Sequence, residues 1–304
     1  MRAMPLSKLE LFRLLTSFSP KRVDLKGAPW DELTDWLFAQ GLAPLAAYNL
    51  EYRLGAMQVP EWVRHRLLSL FQGTATDNVM KLVNLKQSLA ELEGRRIVML
   101  GGVSFVESIY PHVAFRPVVD VRVFVGPMAV EPLTTWLRRA EFKPVEIVDA
   151  AGAAKVLSDT RTEIFVHGSL LDDAKEDSAL LSRAVAMRPF GVSAYRLELE
   201  DALLTQVLLM SRQNFEVPVL EFLDLRELVL GAPDMGGAYS RPLDVGLVQE
   251  RAKQWKLEAA LRSALEVVEL LWPETTEVVT RLKPSAPPQT TTALETLRSL
   301  LLGR

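Results

Sequence analysis

The sequence predicts an α/β (α+β) fold in which a small core with a mixed sheet is flanked by helical N-terminal and C-terminal parts. Three observations carry this prediction: apolar residues recur at helical spacing up to about residue 93, strand-like periods follow after Gly94, and helical spacing returns after Tyr195. A length of 304 residues is enough for about two packing units. The expected division of the chain is 1–93, 94–195 and 196–304.

The N-terminal part is typical of a series of short amphipathic helices. Leu11, Leu14 and Leu15 lie on one helical face, and similar spacing recurs around Trp36 and Trp62. Helix-breaking residues interrupt this spacing and are expected to separate the helices. They are Pro20, Gly27, Pro29, Gly41, Pro44, Gly55 and Pro60.

The core is predicted to begin with a buried strand at 97–100, which ends in the pair Gly101 and Gly102. A helix is expected at 103–109. Glycines between a strand and a helix let the backbone approach a phosphate, which the free N–H groups of the helix can bind. The pair is therefore interpreted either as a tight turn or as a phosphate cradle.

A second strand is predicted at 118–125, where valines at every second position from Val119 alternate with Asp120 and Arg122. Period two places the valines on an apolar face and the two charged side chains on the other. The remaining core elements are expected to be a helix at 129–141 and strands at 145–148, 155–157 and 163–167. Helices are expected in the C-terminal part at 197–213, 219–230, 244–272 and 290–302.

Charge and composition exclude several classes of function. With 35 Lys and Arg against 38 Asp and Glu, the net charge of −3 gives no overall field for holding a nucleic acid. The absence of cysteine excludes disulfides and cysteine-based zinc or redox chemistry. No apolar stretch approaches the roughly 18 to 20 residues that span a bilayer, and charged residues interrupt the first apolar segment. We therefore expect a soluble cytoplasmic protein that binds neither membrane nor nucleic acid.

Residues 98–125 resemble the active-site region of polymerase-β-like nucleotidyltransferases, and most closely that of an uncharacterised bacterial nucleotidyltransferase family. The pattern of that family runs Leu-Lys-Gly, a helix, Tyr-Pro, Arg-Pro and Asp-x-Asp. This chain has Leu100-Gly101-Gly102, Tyr110-Pro111, Arg116-Pro117 and Asp120 in the same order. Its segments 163–167 and 197–230, the latter with Asp224, resemble the later histidine-bearing strand and the C-terminal helices of the family. The resemblance implies a nucleotidyltransferase-type core.

Three positions depart from the chemistry that the resemblance implies. In the parent enzymes, carboxylates at positions i and i+2 of a strand hold two Mg²⁺ ions. Asp120 fills the first position, but Arg122 fills the second and would place a permanent cation where a metal ion binds. Gly101 replaces the lysine of the family, and Phe165 stands where a third carboxylate is expected.

The candidate site residues therefore have two interpretations each. Asp120 is interpreted either as the remnant catalytic carboxylate, which would bind metal if the site is active, or as the ion-pair partner of Arg122. The ion pair is the favoured interpretation. Arg122 and Arg116 are candidates for binding the phosphate of a nucleotide together with Gly101 and Gly102. The favoured roles of the two arginines are structural, with Arg116 holding its loop.

Three hypotheses follow. The first is a catalytically degenerate nucleotidyltransferase-fold protein that needs no cofactor and binds a protein partner or a nucleotide without turnover. The second is an active Mg²⁺-dependent enzyme that transfers NMP to an RNA, protein or small-molecule acceptor. Its carboxylates would be Asp120 and Glu163, with Glu107 as a further candidate. The third is a helical interaction scaffold. The sequence does not indicate an oligomeric state.

Overall fold

The fold is taken from a computed structural model of the chain. It describes residues 7–17, 20–21, 23, 25–55, 59–90, 96–145, 154–158, 162–187, 194–231, 239, 241–289, 291, 294–295 and 297. Within these residues the chain has the predicted α/β fold, in which helices flank a mixed sheet.

Seven short strands of the described residues form one sheet. They are β1 (Ile97–Leu100), β2 (Val121–Phe124), β3 (Lys143–Val145), β4 (Ala154–Ser158), β5 (Glu163–His167), β6 (Val185–Ala186) and β7 (Ala194–Arg196). Their order across the sheet is β3-β4-β5-β2-β1-β7-β6. The pairs β2-β5 and β1-β7 are parallel and the other pairs are antiparallel, so the sheet is mixed as predicted.

Helices account for most of the remaining described structure. They are α1 (Lys8–Leu15), α2 (Trp30–Ala39), α3 (Ala43–Tyr48), α4 (Glu61–Ala90), α5 (Gly102–Ser108), α6 (Pro127–Arg139), α7 (Ala174–Arg183), α8 (Leu199–Arg212), α9 (Val219–Leu230), α10 (Val245–Gln254), α11 (Glu258–Leu271) and α12 (Thr276–Leu282). A π-helical segment, Asn49–Leu54, continues α3. None of the helices described is long and apolar enough to cross a membrane.

The two faces of the sheet pack into different apolar cores. Because side chains alternate along a strand, Met99 and Val123 lie in a core shared with α4 and α6, whereas Leu100 and Phe124 lie in the larger core of the other helices. That larger core contains residues of α1 to α3 together with residues of α8 to α12. The N-terminal and C-terminal helical parts are thus joined in one core.

Contacts between α1 and the end of α11 show how closely these two parts meet. Arg13 donates hydrogen bonds of 2.7 Å to the carbonyl oxygens of Leu270 and Leu271. The ring of Phe12 lies 5.4 Å from that of Trp272. The first and last helical parts therefore share a core and direct contacts, while the division of the chain at residues 93 and 195 stays a prediction.

Helix α9 is the C-terminal element that reaches the candidate site. Pro218, which has no N–H to leave unpaired, precedes its first residue, and Gly231 ends it in the left-handed conformation with φ 71°. The side chain of Gln40 accepts a hydrogen bond of 2.9 Å from the free N–H of Val219. Both ends of the helix are therefore fixed, and so is the position of its first two turns.

Several predicted elements differ in their bounds. The strand predicted at 118–125 begins only at Val121, so Val119 is 79% exposed and does not belong to an apolar sheet face as predicted. The strand predicted at 145–148 is observed as β3, which ends at Val145, and 146–148 lie outside the described residues. Most of the helix predicted at 290–302 lies outside them as well. Helix α7 was not predicted, because its apolar residues are few.

Candidate functional site

The turn between β1 and α5 has the geometry that its glycines predict. Gly101 has a φ of +54°, in the region that L side chains rarely adopt, and α5 begins at the next residue. A Cβ atom on Gly101 would meet only Oε1 of Gln206, at 3.7 Å. Backbone conformation rather than crowding therefore requires glycine at position 101.

Gly102 is required for a different reason, which is the close approach of Arg116. A Cβ atom on Gly102 would lie 2.0 Å from Nη1 and 2.7 Å from Cζ of that arginine. The guanidinium group lies against the backbone at the point where the sequence suggested a phosphate cradle. Nη1 also donates a hydrogen bond of 3.0 Å to the carbonyl oxygen of Pro117.

The Arg116 guanidinium is held by two carboxylates of α9. Nε donates to both oxygens of Asp224, at 2.9 Å from Oδ2, and Nη2 donates to Oδ2 at 2.7 Å. Nη2 also donates to Oε1 of Glu221 at 2.9 Å. The arginine is 4% exposed and Asp224 is fully buried. These contacts are those expected of an arginine that fixes its loop, the favoured interpretation from the sequence, while phosphate binding by Arg116 stays a prediction.

Tyr110 completes the hydrogen bonding around Asp224. Its hydroxyl donates to Oδ1 at 2.6 Å. Burial raises the pKa of Asp224 to about 6, although the neighbouring Arg116 acts in the opposite direction. Burial and the charge of Asp224 raise the pKa of the Tyr110 hydroxyl, which keeps its proton and remains a donor. Tyr110, Arg116 and Asp224 thus form one buried polar network.

Helix α4 fixes the loop that leads to Asp120. Asn78 is almost fully buried, and its amide nitrogen donates to the carbonyl oxygens of Val113 at 2.6 Å and Arg116 at 2.7 Å. Its amide oxygen accepts from the N–H of Val118 at 3.0 Å. Lys81, one turn further on, donates to the carbonyl oxygen of Val118 at 2.7 Å. One helix therefore sets the path of the chain just before β2.

Asp120 and Arg122 form the ion pair that was favoured from the sequence. Nε of Arg122 lies 3.1 Å from Oδ2 of Asp120. The guanidinium carbon of Arg122 also lies 4.3 Å from the ring centre of Phe165, a cation–π contact. Strand pairing places Phe165 directly opposite Arg122, so the cation and the ring occupy the two positions at which the parent chemistry has carboxylates.

Asp120 lies in a partly enclosed environment, and a second carboxylate acts on it in addition to its ion-pair partner. Burial raises the pKa of Asp120, Arg122 lowers it, and the charge of Glu221 raises it again. The carboxylate that influences Asp120 from across the site is therefore Glu221 of α9. The role of Glu163 as a second carboxylate stays a prediction.

The residues at this site do not fit a pair of magnesium ions. Arg122, which pairs with Asp120, and Phe165 stand where the resemblance implies the second and third carboxylates. Among the residues that the structure describes, no group of three or more His, Asp or Glu side chains is placed to hold a metal ion. The proposed cluster of Asp120, Glu163 and Glu107 is accordingly not formed, and Glu107 is exposed on α5.

A cleft of about 320 Å³ lies beside this network. Asp120 and Glu221 supply its acidic groups, and Arg116 lies in its wall. The other lining residues come mainly from α2 to α4, the loop before β2 and the beginning of α9, and most are apolar: Phe38, Ala39, Gly41, Ala43, Pro44, Leu70, Thr74, Pro117, Val119, Pro218 and Leu220. The volume is within the range of small-molecule sites, about 300–1,000 Å³.

Sequence reasoning missed three residues that define this site. Glu221 has the spacing of an ordinary surface residue on an amphipathic helix, and Phe38 belongs to a helix that was interpreted only as structural. Asn78 did carry a signal, since it is a polar residue at a position where the helical spacing requires burial. A buried asparagine needs hydrogen-bond partners, and here they are the loop backbone.

Comparison with known proteins agrees with the motif order and with the mixed-sheet core. No curated protein and no solved structure matches the chain. A family model described as uncharacterised nucleotidyltransferase matches residues 26–273, which include the sheet, the Asp120 site and the helices α8 and α9. The chain belongs to this uncharacterised nucleotidyltransferase family.

Proposed function

We propose that this chain uses its nucleotidyltransferase fold to bind a ligand and does not carry out magnesium-dependent nucleotidyl transfer. One observation carries the proposal: the guanidinium of Arg122 is paired with Asp120 at 3.1 Å, where the chemistry needs a second carboxylate. A guanidinium group stays protonated under all physiological conditions and repels a divalent cation at this distance. The proposal requires no metal cofactor.

The cleft supports binding, but its charges do not favour a nucleoside triphosphate. Asp120 and Glu221 are anionic, and the arginine in the wall is 4% exposed and donates to Asp224 and Glu221. Among the described residues that line the cleft, the polyphosphate would meet two carboxylates and no cation other than the buried Arg116. Of the two ligand classes considered from the sequence, the nucleotide is therefore the less favoured. We retain a cytoplasmic location as part of the proposal.

The proposal is tested by incubating the wild-type chain with each labelled nucleoside triphosphate, Mg²⁺ or Mn²⁺, and RNA, protein or small-molecule acceptors. We expect no more labelled NMP in any acceptor than with the Asp120→Ala variant. Glu61→Ala, on the exposed beginning of α4, is the matched control for loss of a carboxylate. Transfer by the wild type and by Glu61→Ala that disappears in Asp120→Ala would show an active enzyme.

A further inference from the structure

We propose that the cleft beside Asp120 binds a small organic cation, an amine carried on an apolar body. The ammonium group would lie between the carboxylates of Asp120 and Glu221, and the apolar body would lie against Phe38 and its neighbours. This inference rests on the proposed function, because it names the ligand class for a site that does not gather metal ions.

On the acidic side of the cleft, hydrogen bonds from the described residues leave some acceptor capacity of the carboxylates unused. Oδ2 of Asp120 accepts from Arg122, but among the described residues Oδ1 accepts no hydrogen bond, and about a third of the side chain is exposed. Oε1 of Glu221 accepts from Arg116, Oε2 accepts from Gln206, and about a quarter of the side chain is exposed. Each carboxylate oxygen can accept two hydrogen bonds, so an ammonium group finds acceptors on both.

The charges in and behind the cleft favour a single positive charge on the ligand. Asp120, Glu221 and Asp224 carry three negative charges, and the guanidinium groups of Arg116 and Arg122 carry two positive charges. One negative charge therefore remains without a counter-charge in this network. A monocation neutralises it, whereas an anionic ligand adds to the repulsion.

The rest of the cleft suits an apolar group. Phe38 is 56% exposed and Val119 is 79% exposed, and both line the cleft together with Leu70 and Pro44. Exposed aromatic and aliphatic side chains around a few polar groups are typical of small-molecule sites. Burying their surface is favourable in proportion to the apolar area removed from water, so the apolar part of the ligand adds affinity that ammonium ion alone lacks.

The test is calorimetry of the full chain with 2-phenylethylamine, and with 2-phenylethanol and phenylacetate as neutral and anionic isosteres. We expect the amine to bind and the alcohol to bind at least about tenfold more weakly, because a hydrogen bond to a charged group contributes about 1.5–3 kcal/mol. The anionic isostere, phenylacetate, is expected not to bind. The same titration with ammonium chloride separates the contribution of the apolar body.

Three variants locate the binding. Asp120→Asn, which keeps the shape of the side chain, is expected to weaken amine binding about tenfold, and Phe38→Ala several-fold without disturbing any ion pair. Glu61→Gln is expected to change nothing. Circular dichroism melting curves confirm that each variant folds. No amine binding to the wild type, or equal binding of amine and alcohol that Asp120→Asn leaves unchanged, would overturn the proposal.

Addition of labelled ATP and Mg²⁺ to the amine complex separates this inference from the proposed function. If the amine binds and is not labelled, both stand. If it binds and becomes adenylylated in a reaction that Asp120→Ala abolishes, the ligand class stands and the proposed absence of transfer is wrong. If it does not bind, only the ligand class is wrong.

Discussion

Replacing Asp224 by asparagine is expected to lower the free energy of unfolding by about 3–5 kcal/mol, because the change removes the fully buried carboxylate of the Arg116 pair and leaves the guanidinium only the partly exposed Glu221 as an ionic partner. Arg116 is 4% exposed, so water does not replace the lost carboxylate. The network also includes the 2.6 Å hydrogen bond that the Tyr110 hydroxyl donates to Asp224. In the variant, the acceptor of this hydrogen bond becomes a neutral amide oxygen. Urea denaturation at neutral pH, with the midpoint and slope compared with the wild type, measures the effect.

The matched control for this prediction is Asp172→Asn. Asp172 also pairs with an arginine, since Nη2 of Arg212 lies 3.2 Å from its carboxylate, but its side chain is exposed. Surface pairs contribute about 0–1 kcal/mol, so this control should change little. A double variant, Arg116→Met with Asp224→Asn, is expected to lose less than the sum of its single losses, because both changes remove the same pair. A stability of Asp224→Asn equal to that of the control would contradict the structural role of the network.

Replacing Gly102 by alanine is expected to destabilise the chain by about 1–3 kcal/mol, the usual cost of overpacking, because the side chain packed against Gly102 is the buried Arg116. The new Cβ atom would lie 2.0 Å from Nη1 of Arg116, so the guanidinium must move away from the backbone. Movement would stretch its hydrogen bonds to Asp224 and Glu221, which fix it from the other side. Thermal and urea denaturation measure the loss.

Gly73→Ala provides the opposite control. Gly73 is an exposed residue in the interior of α4, and a Cβ atom there would meet nothing within 4 Å. Alanine exceeds glycine in helix propensity by about 1 kcal/mol, so this variant should be more stable than the wild type. In an Arg116→Ala background, Gly102→Ala should lose most of its cost, because the colliding group is absent. An equal cost in both backgrounds would mean that Gly102 is required for something other than the approach of Arg116.

Local sequence patterns were sufficient for part of the sheet, but the short strands β6 and β7 were not predicted. The apolar run of β1, the alternation around Val121 and Val123, and the segment of β5 each predict a strand from its own residues. The i, i+2 spacing of Asp120 and Arg122 was enough to predict their pairing, although Asp120 immediately precedes β2 and does not belong to the strand. Val119 was assigned wrongly because periodicity alone does not reveal where a strand begins.

The rest of the site depends on residues far apart in the sequence. Arg116 reaches Asp224 across more than a hundred residues, and the polar spacing of α9 does not distinguish a buried carboxylate from a solvated one. The same is true of Asn78, whose partners lie in a loop that has no regular pattern of its own. The shared core of the first and last helices likewise required tertiary contacts, such as that between Phe12 and Trp272.

The most direct test of the central claim is a titration with Mn²⁺, followed by electron paramagnetic resonance, because the signal of free Mn²⁺ decreases when the ion binds. We expect the wild-type chain to show no saturable site that depends on Asp120 at millimolar Mn²⁺. Arg122→Asp, which replaces the cation by a carboxylate on the same strand face, is expected to bind the ion measurably. Saturable binding of two Mn²⁺ ions by the wild type, lost in Asp120→Ala, would contradict the claim that Arg122 occupies the metal position.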